Sequence, residues 1–118
     1  MQFYVNTIIS NLEKTKDFSA SFLVDTGAKF TIAPARMLEK IGAPILDQQK
    51  VVYANGQVET VPITSCWISV DGFHRQLPCS VLFGKGDICL LGMETLETLS
   101  LGVDTRNAKL FTIEALEA

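Results

Sequence analysis

One acidic residue in this chain stands out because of what surrounds it. Asp25 follows the apolar run Phe22-Leu23-Val24 and precedes Thr26-Gly27-Ala28. A carboxylate placed directly after a buried strand is costly unless it has a partner or a task. One task is to cap a turn through the local backbone. The other is chemistry.

Other chemistries lack their residues. The single histidine, His74, lies beside an expected hairpin turn and reads as a surface residue. A Ser/His/Asp or Cys/His arrangement would have to use it. No GxxxxGK[ST], HExxH or GxSxG pattern occurs, and no His/Cys cluster has zinc spacing, so neither a metal nor a cofactor is implied. Cys66, Cys79 and Cys89 form no CxxC pair, and three cysteines cannot all pair within one chain. They read as small buried hydrophobes in a reducing compartment.

The elements that must position Asp25 can be outlined from pattern alone. Strands are expected at residues 3–9, 19–24 and 30–33. A short helix follows at 35–41, with Pro34 before it and Gly42 after it. The runs 51–54 and 57–63 flank Asn55-Gly56, which signals a type I′ hairpin. A second hairpin is expected at Asp71-Gly72, between 66–70 and 73–77, and strand continues at 79–83. After a loop at 84–87 come a buried strand at 88–91 and a helix at 93–99, with Met93, Leu96 and Leu99 on one face. Strands at 101–103 and 109–113 close the chain. The stretch 88–99 echoes 22–41, since each has an apolar run, a glycine turn and a short helix.

The whole chain, 1–118, reads as a single mainly β domain with two short helices. Hydrophobic residues make up 47% of it, too many for a disordered chain, and the formal charge of −3 gives no basic footprint for nucleic acid. No basic run suits a membrane surface, and the apolar stretch 88–93 is too short to span one. No signal peptide is visible at the N-terminus, so a cytoplasmic location is expected.

The order of motifs carries more weight than any one of them. Asp25-Thr26-Gly27-Ala28 is followed by Thr31-Ile32-Ala33-Pro34 and a helix, then by the Asn-Gly hairpin. Leu90-Leu91-Gly92 and a second helix come last, with Gly92 67 positions after Asp25. This order resembles the retropepsin-like aspartic proteases, a family of retroviral and retrotransposon proteases and their cellular and prokaryotic relatives. The resemblance spans roughly residues 19–110.

The resemblance implies a closed, barrel-type β fold and a homodimeric aspartic endopeptidase acting on polypeptide. Asp25 matches the catalytic aspartate. Thr26 matches the threonine that bonds across the dimer axis, and Gly27 the residue whose carbonyl receives the substrate backbone. Ala28 and Leu90, with Leu23 and Ile32, match pocket positions that suit apolar side chains. Tyr53, Ala54, Asn55, Gly56 and Gln57 match the flap, a hairpin that closes over the peptide. Leu91-Gly92 matches the element packed behind the catalytic loop.

Two positions depart from the retroviral pattern. Met93 and Lys29 stand where many viral members carry an Arg and an Asp, which fits a cellular or prokaryotic branch. Asp104-Thr105 precedes Arg106 rather than glycine and reads as a turn. A fold does not by itself establish turnover. The same residues therefore also admit a catalytically silent module for dimerisation or peptide binding.

Overall fold

A computed structural model describes residues 2–115. Nine strands and two short helices run in the order β1 (Tyr4–Ser10), β2 (Asp17–Val24), β3 (Thr31–Pro34), α1 (Ala35–Lys40), β4 (Asp47–Val52), β5 (Val58–Val70), β6 (Gln76–Gly84), β7 (Leu90–Leu91), α2 (Met93–Thr98), β8 (Leu101–Asp104) and β9 (Lys109–Thr112). The mainly β expectation and both helices hold. Seven strands form one sheet in the order β1-β2-β7-β3-β6-β5-β4, and a further β1–β5 pairing closes six of them into a ring, with β4 added outside it on β5. β8 and β9 form a separate two-stranded sheet.

Alternation of side chains fills the ring. On β5, Thr64, Cys66, Ile68 and Val70 point inward and are buried, while the residues between them are only half-buried. Phe22, Ile9, Leu38, Leu91, Leu96 and Val81 complete the core. β5 changes partner along one edge. It pairs with β4 from Val58 to Ile63 and with β1 from Trp67 to Val70, while β6 holds the opposite edge.

Two expected breaks are absent. The runs 57–63 and 66–70 are one thirteen-residue strand, and β6 runs straight through Pro78. Each proline sits where its strand has a single neighbour. Pro62 faces only β4, and Pro78 faces only β5, because β6 meets β3 no earlier than Val81. A missing N–H on the free side removes no ladder bond.

The hairpin at Asn55-Gly56 forms, but not as a type I′ turn. Such a turn needs positive φ at both central residues. Only Gly56 has it, at +83°, and its N–H donates to the Tyr53 carbonyl at 2.9 Å. The turn is therefore centred on Ala54-Asn55, with Gly56 as the left-handed residue after it. Asp71-Gly72 also turns the chain, between β5 and β6, and His74 is exposed in that loop.

Asn11 anchors the β1–β2 connection. Its buried amide donates to the Ile41 carbonyl at 2.9 Å and to Thr15 Oγ1 at 2.8 Å, and it accepts from the Thr15 N–H at 2.9 Å. Asn11→Ala leaves the Ile41 carbonyl and the Thr15 N–H without these partners. Urea denaturation should show a loss of about 2–3 kcal/mol.

Candidate active site

Asp25 occupies the first position after β2, where the chain turns away from the sheet. The two-residue strand β7 fixes that turn. It lies between the strands on either side of the loop, pairing in parallel with β2 (Leu23↔Leu90, Val24↔Leu91) and antiparallel with β3 (Ile32↔Leu90). The two echoing apolar runs of the sequence are thus direct neighbours. The Asp25 N–H donates to the Leu91 carbonyl at 3.1 Å, which ties the base of the loop to β7.

The carboxylate is oriented locally. The Gly27 N–H donates to Asp25 Oδ1 at 2.9 Å, and the Ala28 N–H donates to the Asp25 carbonyl at 3.3 Å. One carboxylate oxygen is held by the backbone, while Asp25 is half-buried and lines an open cleft with Leu23, Thr26 and Val103. Thr26 and Gly27 are exposed beside it. The turn-capping bond and the open carboxylate coexist, so capping does not occupy the whole group.

Backbone bonds hold the loop from behind. The Met93 N–H donates to the Ala28 carbonyl at 2.8 Å, and the Glu94 N–H donates to the Lys29 carbonyl at 2.9 Å. These bonds link the start of α2 to the loop at Ala28 and Lys29. The buried Gly92 N–H donates to Thr31 Oγ1 at 3.1 Å, and Thr31 shares a 2.7 Å hydrogen bond with Thr95 on α2. Gly92 also leaves no room for a side chain. A Cβ there would come within 2.8 Å of the Lys29 carbonyl oxygen and nearer still to the Phe30 carbonyl.

The register also lays out a floor. Leu23, Leu90, Ile32, Leu82 and Ile63 are successive lateral partners across β2, β7, β3, β6 and β5. They share one face of the sheet, opposite the face that carries Val24, Leu91 and Val81 into the core. The row begins two residues before Asp25 and ends beneath the β4–β5 hairpin. Ile32 and Leu82 there line a cavity of about 370 Å³, with Val51, Val61, Ile88 and Tyr53 around them.

The predicted positions therefore fall into three groups. Asp25, Thr26, Gly27 and Leu23 meet at the loop, and Ala28 faces a groove with Met93 and Glu97. Ile32 and Leu90 lie on the floor. Tyr53 reaches the hairpin cavity, whereas Ala54, Asn55 and Gly56 are exposed at the tip of the hairpin. The hairpin tip does not line the cleft that Asp25 lines.

Sequence reading missed the polar rim of that cavity. The Tyr53 hydroxyl donates to Glu59 Oε2 at 3.0 Å, and Lys85 pairs with Glu59 Oε1 at 2.6 Å. The Lys85 ammonium, with the tyrosine hydroxyl, holds the Glu59 carboxyl below its ordinary range, and Glu59 raises the Tyr53 hydroxyl in turn. Glu59 was findable, since it pairs with Val51 and so faces the same side of the hairpin as Val61 two residues on. Lys85 comes from the loop after β6, and no local pattern points to it. Asp104 is the turn residue expected of it, accepting from Arg106 and Asn107. Those bonds, chiefly from Asn107, lower its carboxyl from the usual range.

Among the described residues, no helix is long and apolar enough to cross a membrane. The family model described as "gag-polyprotein putative aspartyl protease" matches residues 14–98. The match starts after β1 and ends with α2, so it takes in the Asp25 loop, the β4–β5 hairpin and β7. No curated protein matches the chain.

Proposed function

Because this chain belongs to the retropepsin-like aspartic protease family, we propose that it is a homodimeric endopeptidase in which two copies of Asp25 activate one water. The single observation that carries the reading is the Asp25 loop itself. Its carboxylate lies at an open cleft, fixed through one oxygen by Gly27 and backed by β7 and the start of α2.

One carboxylate cannot perform both halves of the reaction. An ionised aspartate must take a proton from the attacking water, while a protonated one donates to the scissile carbonyl as it becomes tetrahedral. Two carboxylates held about 3 Å apart share one proton, because both cannot ionise cheaply. Each chain supplies one such Asp, so a two-fold axis must bring Asp25 and its partner copy together.

The remaining residues take roles that follow from position. Gly27 N–H keeps Oδ1 in place and leaves Oδ2 for the water and the second carboxylate. Thr26, exposed beside Asp25, faces the axis and ties the two loops together. The Gly27 carbonyl accepts a substrate N–H. The row from Leu23 through Leu90 and Ile32 seats apolar side chains on either side of the cleaved bond, and the hairpin carrying Tyr53, Ala54, Asn55 and Gly56 closes over them and excludes water.

Two outcomes test the assembly. Specific activity on an unfolded polypeptide should rise with enzyme concentration and track the dimer fraction seen by sedimentation. A strict monomer at high micromolar concentration would sink the shared dyad. Ala28 bears on pH. A hydroxyl at that position could donate toward the dyad and favour ionisation, and alanine cannot. The optimum should lie nearer neutrality than that of a gastric-type enzyme, and an optimum below about pH 3.5, under the ordinary aspartate pKa, counts against the assignment of Ala28.

A further inference from the structure

The β5–β6 register places two of the three cysteines directly opposite one another, as Cys66↔Cys79. Opposed residues of an antiparallel ladder have Cα atoms about 4.5–5.5 Å apart, inside the roughly 4.4–6.8 Å that a disulfide spans. Both side chains point into the core, where Cys66 is 0% exposed and Cys79 6%. Cβ atoms of such pairs are about 4.5–5.5 Å apart, so reaching the roughly 3.8 Å of a disulfide needs a closure of about 1–2 Å.

Few polar groups face the pair. The Cys79 thiol donates a weak S–H bond to the Leu77 carbonyl at 3.4 Å and meets the Thr95 side chain on α2. Burial pushes the Cys66 thiol up to about 12 and the Cys79 thiol up to about 11. Both are neutral thiols at pH 7, unreactive while packed and available when the hairpin opens. Replacing two buried S–H groups by one apolar S–S bond leaves no charge and almost no hydrogen bond unpaired. Cys89 is half-buried between β6 and β7 and has neither opposed position.

We propose that Cys66 and Cys79 are a dithiol–disulfide pair, a modification site that takes a small-molecule disulfide as its oxidant and staples β5 to β6. The step balances as a two-electron exchange. One cysteine thiolate attacks a sulfur of the oxidant and releases one small thiolate. The second cysteine thiolate attacks the mixed disulfide and releases the other. The two cysteine protons pass to the two small thiols, and no further reductant or oxidant is required. The staple closes the hairpin across the Asp71-Gly72 turn and fixes the strand that carries the 58–63 arm of the active-site hairpin. This inference does not depend on proteolytic activity.

The test uses the full chain, refolded from denaturant in oxidised glutathione so that burial does not block the thiols. Digestion without reductant should yield a Cys66–Cys79 cross-linked peptide, with intact protein about 2 Da lighter than the reduced form. Thermal unfolding should shift upward by about 5–10 °C. Cys89→Ser should preserve both results, and Cys66→Ala, with the smaller side chain, should abolish both. As a second measurement, native alkylation of the reduced protein should modify Cys89 well before Cys66 or Cys79. Free thiols or glutathione adducts at Cys66 and Cys79 after refolding would overturn the proposal. So would a link from either to Cys89 or to another chain, or a cross-linked protein that melts lower than the reduced one.

Discussion

Asp25→Asn should reduce cleavage of an unfolded polypeptide by about 10⁴-fold or more across about pH 3 to 8, with the fold unchanged. The two halves of this expectation have separate causes. Asparagine keeps the oxygen that accepts the Gly27 N–H, and it keeps the size of a half-buried side chain. Unfolding curves of the two proteins should therefore nearly coincide. The amide cannot take a proton from water, so no dyad that contains it can start the reaction. In the proposed shared dyad, one Asn per dimer is enough. Subunits mixed in equal amounts and allowed to exchange should retain about one quarter of the activity, the share of dimers with two aspartates. Equal cleavage by variant and wild type would eliminate the aspartic mechanism. A wild type that dimerises and cleaves nothing would favour the silent binding module.

Gly92→Ala carries the largest expected loss of stability, roughly 3 kcal/mol or more in chemical denaturation. The added methyl meets backbone at Phe30 and Lys29, not the far end of a flexible side chain. Relief requires moving the segment between the Asp25 loop and β3, or β7 itself. Either movement also breaks the Gly92 N–H bond to Thr31 and the two bonds from α2 into the loop. Activity should fall with stability. Gly56→Ala is the informative comparison. That position has open space around it and only its φ of +83° to defend, so the cost should be about 1 kcal/mol. A Gly92→Ala protein as stable as the Gly56 variant would show that the loop is less tightly packed than its geometry indicates.

What could be read from the sequence followed from local rules. The apolar run before Asp25, the glycine after it and the second apolar-glycine element are patterns of a few residues, and each marks the place where the chain leaves the sheet. Helix α1 was legible because Pro34 and Gly42 bracket it. Strand continuity was harder. Pro78 looks like a break unless one knows that β3 joins β6 only at Val81, and partner lists are not written in local pattern. The turn at Asn55-Gly56 was placed correctly but typed wrongly, because dipeptide preference does not distinguish a two-residue turn from a three-residue loop ending in a left-handed glycine. The rim of Tyr53, Glu59 and Lys85 joins residues up to 32 positions apart. The opposed cysteines, thirteen positions apart, likewise become visible only once the β5–β6 register is known.

The closure of the ring sets an order of events for the newborn chain. β2 is made early, yet its neighbour β7 arrives more than sixty residues later, and β1 waits about as long for β5. Contacts this distant in sequence slow folding, since the intervening chain must be organised before they reward its closure. The local hairpins β1–β2, β4–β5 and β5–β6 can form first and dock afterwards. The Asp25 loop has no final shape until Leu90-Leu91 slips between β2 and β3. A ribosome-bound or truncated chain ending before that point would hold the acid on a loop without the brace that β7 supplies.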